Sequence, residues 1–179
     1  ASSIINDQSS DYYEIMKNLD LVTSKLMENR ISSGSLSLSS SDIEITIDDK
    51  GCPTSIREKK SLDSHRIVEE LMLVANVCAA DFISSSSPLY RVHERPDDQD
   101  VLNLLSISKH YDKKNKKLSM IGRENVMRDL LEMYRSTSME FMINNLCLRA
   151  MPKAVYSTKK IGHYALSFDL YTHFTSPIR

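Results

Sequence analysis

A site that acts on phosphate esters through bound magnesium needs several carboxylates converging on one point, and three pairs of adjacent acids in this sequence invite that test. Asp48 and Asp49 stand in DIEITIDDKG beside Lys50 and Gly51, where Asp favours a turn by hydrogen-bonding its own backbone. Asp97 and Asp98 follow Pro96 at the expected start of a helix, where negative charge complements the helix dipole. Both pairs therefore have structural explanations. Glu69 and Glu70 are harder to explain that way, because they interrupt an otherwise apolar helical stretch, RIVEELMLVANVCAADFI. Glu69 and Asn76 are seven residues apart and share one stripe, while Glu70 lies four residues after Arg66 and can pair with it. A surface stripe is the simpler reading of these acids, but a buried carboxylate or amide needs a partner, so a functional reading stays open.

Other chemistries find little support. The five histidines show no HExxH and no metal-ligand spacing, and His163 and His173 suit hydrogen-bonded structural roles. With four glycines there is no phosphate-cradling loop, and no GxSxG occurs. Cys52, Cys78 and Cys147 are far apart and odd in number, without CxxC, which fits neither a disulfide framework nor a zinc site and makes a reducing cytosol the expectation. The formal charge of -1 provides no global basic field, so nucleic acid would have to be met by local patches. Lys109 to Lys117 holds five lysines in nine residues and can contact phosphate, although a solvated loop explains it as well. No stretch reaches the roughly 18 apolar residues of a membrane span. The last candidate is Arg179, beside the Thr175 and Ser176 hydroxyls, where a guanidinium can stabilise charge developing on a phosphoryl group.

The elements that would position these residues follow from periodicity. Residues 11–30 carry Tyr12, Ile15, Leu19, Val22 and Leu26 at helical spacing. Leu36 and Leu38, then Ile43, Ile45 and Ile47, alternate at period two and predict short strands, with a hairpin turn at Asp48 to Gly51. The next helix starts near Asp63 or Ser64 and is apolar nearly all round, which predicts deep burial, with Val68, Leu71, Met72, Ala75, Cys78, Ala79 and Phe82 on one face. LYRVHE reads as a brief strand, and a helix from about Asp97 turns Val101, Leu104 and Leu105 inward. Val126, Leu130, Leu131 and Tyr134 mark another helix, and Met139, Met142, Ile143 and Leu146 a last one ending near Pro152. Ser176 and Pro177 form a helix start with only two residues after it, and the start ASSIINDQSS has neither initiator Met nor signal-peptide form, so the chain is expected to be truncated at both ends. The fold class is α+β, helix-rich, with a mixed sheet packed by helices, and residues 1–179 make one unit or part of one.

Several blocks resemble a known family in order. GHYALSFDLYTHFTSPIR closely resembles the signature of the ribonuclease II and ribonuclease R family, whose catalytic region is the RNB domain, and lies nearer the ribonuclease R branch. KLMENRISSGSLSLSSSDIEITIDDKGCP resembles the family's helix and hairpin with a K-x-R-x-x-x-G-x-L pattern. RIVEELMLVANVCAADFI is similar to its V-E-E-x-M-x-x-A-N helix, LYRVHERPD to its R-x-H-x-x-P turn, and LCLRAMPKAVYS to the segment before the signature. The resemblance covers nearly all of the chain from about residue 18.

It implies the central to C-terminal part of the catalytic domain of a processive, hydrolytic, cytoplasmic exoribonuclease. Such an enzyme degrades single-stranded RNA from the 3′ end to nucleoside 5′-monophosphates, as a monomer, with metal-activated water attacking the last phosphodiester. The family's magnesium ligands, in a pattern resembling D-P-x-D-A-x-D-x-D-D-A, are expected upstream, so the resemblance assigns no metal ligand within 1–179, and the isolated chain is expected to be inactive. The cold-shock and S1 barrels that usually flank the region are also missing from this sequence. By resemblance, Arg179 acts near the scissile phosphate. Glu69 or Glu70 helps hold the 3′-terminal nucleotide, with Asn76 favouring Glu69, and Tyr171, His173, Thr175 and Ser176 line or support that site. The alternative is a catalytically inactive RNB homologue that binds RNA and regulates it.

Overall fold

The computed structural model describes residues 10–38, 43–58, 62–86, 88–111 and 125–176. Helix α1 (Tyr13–Ser32) leads to the strands β1 (Ile43–Ile47) and β2 (Pro53–Glu58), and α2 (Asp63–Phe82) runs into a 3-10 turn at Ile83–Ser85. Strand β3 (Tyr90–Val92) precedes α3 (Asp98–Tyr111), α4 (Val126–Met133) and α5 (Glu140–Ala150), followed by β4 (Val155–Ser157) and a 3-10 turn at Tyr164–Leu166. The helix-rich α+β class holds. Among the described residues the strands form two separate antiparallel ladders, β1–β2 and β3–β4, where one mixed sheet was expected. Each ladder is closed by its own pairing: the first by a tight turn, the second across the whole three-helix segment.

The turn reading of Asp48 is realised in full. Its carboxylate Oδ1 accepts from the Lys50 N–H at 2.9 Å and the Cys52 N–H at 2.8 Å, and Gly51 supplies the positive φ of 81° that closes the loop.

Packing departs from the expected stripes in two helices. On α1, Tyr12, Ile15 and Val22 are exposed and Thr23 is the fully buried residue. On α2, Val68, Leu71 and Phe82 are exposed, whereas Ile67, Glu70, Leu73, Asn76 and Ala80 face inward. The physical reason is the same in both. These helices meet through hydrogen-bonding side chains, so the inward stripe is the one that carries partners and not the most apolar one. Leu36 and Leu38 form irregular chain and no strand; the Leu36 N–H donates to the Ala165 carbonyl at 2.9 Å and its side chain enters the core. The alternation with polar residues does not reflect alternating burial, because Ser35 is buried beside Leu36.

The main core lies between α3, α4 and α5. Val101, Leu104 and Leu105 meet Val126, Met127, Leu130 and Leu131 of α4 and Ile143 and Cys147 of α5, as the apolar spacing predicts. Each such side chain contributes about 1.5–3 kcal/mol on full burial. Burial also pushes the Cys147 thiol up to about 12, so it stays protonated and inert. A smaller cluster of Ala80, Tyr90 and Val92, with Leu170 against it, ties α2 to β3. Among the described residues no helix is long and apolar enough to cross a membrane.

Candidate functional site

Asn76 sits in the middle of α2 with no exposed surface, 0 %. Its Nδ2 donates to the Tyr171 hydroxyl at 2.9 Å and to the Thr175 carbonyl at 3.0 Å, and its Oδ1 accepts from the Thr175 N–H at 2.7 Å. Both amide hydrogens are thereby used. One side chain thus fixes both backbone polar groups of a residue 99 positions later. Nearby bonds fix the rest of that segment: the Tyr171 carbonyl accepts from the Arg91 N–H at 2.8 Å, and the Thr172 hydroxyl donates to the Leu89 carbonyl at 2.7 Å. Tyr171 is buried, stacks on Phe168 with centroids 5.9 Å apart, and meets His163 edge-on at 5.3 Å.

His163 and His93 form the floor of this arrangement. His93 is buried, donates from Nε2 to the Pro152 carbonyl at 2.9 Å and accepts at Nδ1 from the Ala165 N–H at 3.3 Å, which fixes its tautomer. The His163 Nδ1 is buried with no hydrogen-bond partner. Desolvation, then the neighbouring His93, lowers the His163 pKa to about 4, so its ring is neutral around pH 7. Gly162 brings the chain into this cluster at φ 88°, where an added Cβ would lie 3.1 Å from the Phe168 carbonyl oxygen.

Glu70 is 3 % exposed and lies on the same inward face of α2 as Asn76. Arg30 grips it in a two-pronged pair, Nη2 to Oε1 and Nε to Oε2, the latter at 3.3 Å. Arg30 Nη1 donates in turn to the Ser35 hydroxyl at 2.7 Å, which donates to the Ala165 carbonyl at 3.2 Å. Glu69 is exposed. Glu69 and Asn76 share one stripe, about 20° apart round the helix, but only Asn76 is buried; Glu70, about 120° round from Asn76, is buried under Arg30. Arg66 does not take Glu70; it pairs with Asp20 and donates to the Ser24 hydroxyl at 2.6 Å.

Of the residues singled out from sequence, Asn76, Tyr171 and Thr175 are brought into direct contact. His173 and Ser176 are exposed on the same segment. Arg179 and Pro177 lie outside the described residues, as do Lys113, Lys114, Lys116 and Lys117. Among the described residues no group of three or more His, Cys, Asp or Glu side chains could hold a metal ion, so these residues do not fit a magnesium site by themselves.

A family model described as the RNB domain matches residues 1–179. The chain belongs to the RNB domain family. Ribonuclease R of Aquifex aeolicus is 33 % identical over 168 residues, which cover 93 % of this chain and 24 % of that protein. Ribonuclease R of Escherichia coli is 28 % identical over 179 residues, covering 94 % of this chain and 20 % of the relative. Among solved structures, Mycoplasma genitalium RNase R in complex with ribose methylated single-stranded RNA matches with a TM-score of 0.78 and 26 % identity, over 97 % of this chain and 28 % of that one. This RNB chain thus spans about a quarter or less of the length of the curated relatives it matches.

Three residues of the RNB chain have pairings that escape a reading of the sequence alone. Arg30 looks like an ordinary polar end to α1, and its only sequence signal is a buried carboxylate 40 residues later that needs a cation. Arg91 and Tyr156 stand in the blocks LYRVHERPD and LCLRAMPKAVYS, but their pairing across β3 and β4 is hidden because strands of three residues carry no register signal.

Proposed function

We propose that this chain is the central to C-terminal part of the catalytic domain of a 3′-to-5′ exoribonuclease. The intact protein degrades single-stranded RNA hydrolytically and processively from its 3′ end, releases nucleoside 5′-monophosphates, and works as a monomer in the cytoplasm. Magnesium, in this reading, is held by carboxylates outside residues 1–179. Membership of the RNB family supports the reaction class, and the Asn76 clamp on Thr175 is the observation that carries it to named residues. That clamp holds the segment that leads, four residues later, to Arg179.

Each residue then has a role that its surroundings support. Arg179 offsets negative charge on the scissile phosphate. Asn76, expected to touch substrate, is better read as a positioning residue, since its amide is already engaged by Thr175 and Tyr171. By the same reasoning Glu70, whose two carboxylate oxygens are both bound by Arg30, is a positioning residue, which leaves the exposed Glu69 as the carboxylate to hold the 3′-terminal nucleotide. Tyr171, His173, Thr175 and Ser176 shape the wall beside it.

Substituting Arg179→Ala in the intact protein tests the reading. Turnover on a short single-stranded RNA should fall at least about a hundredfold, while RNA affinity stays within a few-fold. An equal loss of binding would make Arg179 a docking residue. An intact wild-type protein that releases no mononucleotides from a 3′ end would overturn the reading altogether.

A further inference from the structure

Three segments run side by side next to the clamped residues: β4, β3, and residues 171–173. Arg91 stands opposite Tyr156 in the β3–β4 register, and its backbone is bonded to Tyr171 on the other side. The Arg91 guanidinium lies 4.8 Å from the centroid of the Tyr156 ring. The Tyr156 hydroxyl is 3.2 Å from His173 Nδ1, so the tyrosine links β4 to the segment beyond β3, with Arg91 against its ring. Tyr156 nonetheless remains 53 % exposed as a residue. No carboxylate among the described residues comes within ion-pair distance of Arg91.

This combination has a chemical direction. A guanidinium without a carboxylate partner leaves uncompensated positive charge at the surface, and a tyrosine backed by that cation presents an open aromatic face to solvent. Single-stranded nucleic acid is met by such pairs, through base stacking on the ring and charge compensation of the phosphate. The position agrees with that partner, because His173 lies two residues before Thr175, the residue that Asn76 clamps.

We propose that Tyr156, Arg91 and His173 form a subsite for single-stranded RNA, in which a base stacks on the open face of Tyr156 and Arg91 compensates a backbone phosphate. The proposal rests on the exoribonuclease reading above and adds Tyr156 and Arg91, which that reading does not assign.

The test uses the intact protein, with divalent ions chelated so that RNA is bound and not cut, and a fluorescent single-stranded oligoribonucleotide as probe. Tyr156→Leu should weaken binding roughly tenfold, the scale of one lost stacked base. Tyr156→Phe keeps the ring and should bind within about threefold of wild type. Arg91→Gln should reduce the slope of log affinity against log salt by about 0.7, the value of one phosphate contact on a single strand. Thermal melting of each variant separates folding from binding. If Tyr156→Leu and Arg91→Gln melt lower but bind RNA with wild-type affinity and salt slope, the pair is a ladder brace and the proposal is overturned. That outcome leaves the exoribonuclease reading intact provided Arg179→Ala still abolishes turnover. A wild-type protein that binds no RNA overturns both.

Discussion

Helices α1 and α2 meet through polar side chains, whereas α3, α4 and α5 meet through apolar ones. At the first interface Arg30 forks onto Glu70 and Arg66 pairs with Asp20, with Thr23 fully buried on α1. At the second, Leu104, Val126, Met127, Leu130, Ile143 and Cys147 are all at or below 2 % exposure. Apolar contacts are nondirectional and tolerate substitutions that conserve volume. A two-pronged guanidinium–carboxylate pair fixes both orientation and register. The clamped segment depends on α2, so the directional interface lies where a fixed angle between helices matters, and the apolar one supplies bulk stability behind it.

The sharpest way to break that contrast is Glu70→Ala, which leaves the largely buried Arg30 without a counter-charge. It should destabilise the protein by about 3–5 kcal/mol, read from the denaturant midpoint. A loss below about 1 kcal/mol would mean that the pair is solvated and the interface is not set by it. Leu130→Ala probes the other region and should cost about 2–5 kcal/mol by leaving a cavity between α4 and its neighbours. Unlike the Glu70 change, Leu130→Met should recover most of that loss, since volume is what the apolar core requires.

Asn76→Ala comes next, at about 1–3 kcal/mol for the hydrogen-bonding groups of Thr175 and Tyr171 left unpaired. Its effect on turnover in the intact protein should exceed its effect on RNA affinity, as the proposed positioning role requires. A change confined to KM would instead assign Asn76 to substrate contact. Smallest of all, Asp20→Ala removes a partly exposed partner of Arg66 and should shift stability by no more than about 1 kcal/mol. A larger loss would show that the whole α1–α2 interface behaves as one coupled network.

What is legible in the sequence follows the same division. The apolar inward residues of α3, α4 and α5 are legible because burial there selects such side chains at helical spacing, whereas the buried Ser108 and Asn144 are not. The Asp48 turn is legible because its chemistry is local. On α1 and α2 the inward stripe mixes Thr23, Arg30, Glu70 and Asn76, which hydropathy assigns to solvent, with the apolar Ile67, Leu73 and Ala80, so periodicity alone does not pick the inward face. The partners that make Glu70 and Asn76 buriable lie from 40 to 99 positions away, and a single sequence holds no record of that pairing. Family resemblance singles out Tyr171, Thr175 and Asn76, but their mutual hydrogen bonds are visible only in three dimensions.

The β1–β2 hairpin carries a last consequence. Ile43, Ile45, Ile47 and Ile56 are all more than half exposed, and the hairpin's ladder pairs with no third strand among the described residues. A two-stranded ladder without a buried face is held chiefly by its own hydrogen bonds and the Asp48 turn. Its amides in the isolated chain should therefore trade hydrogen for deuterium early, through local opening far cheaper than global unfolding, while those of α4 and α5 exchange last. The hairpin is thus a sensor of context: slow exchange at Ile45 and Ile56 would report that another surface has come to rest on their side chains.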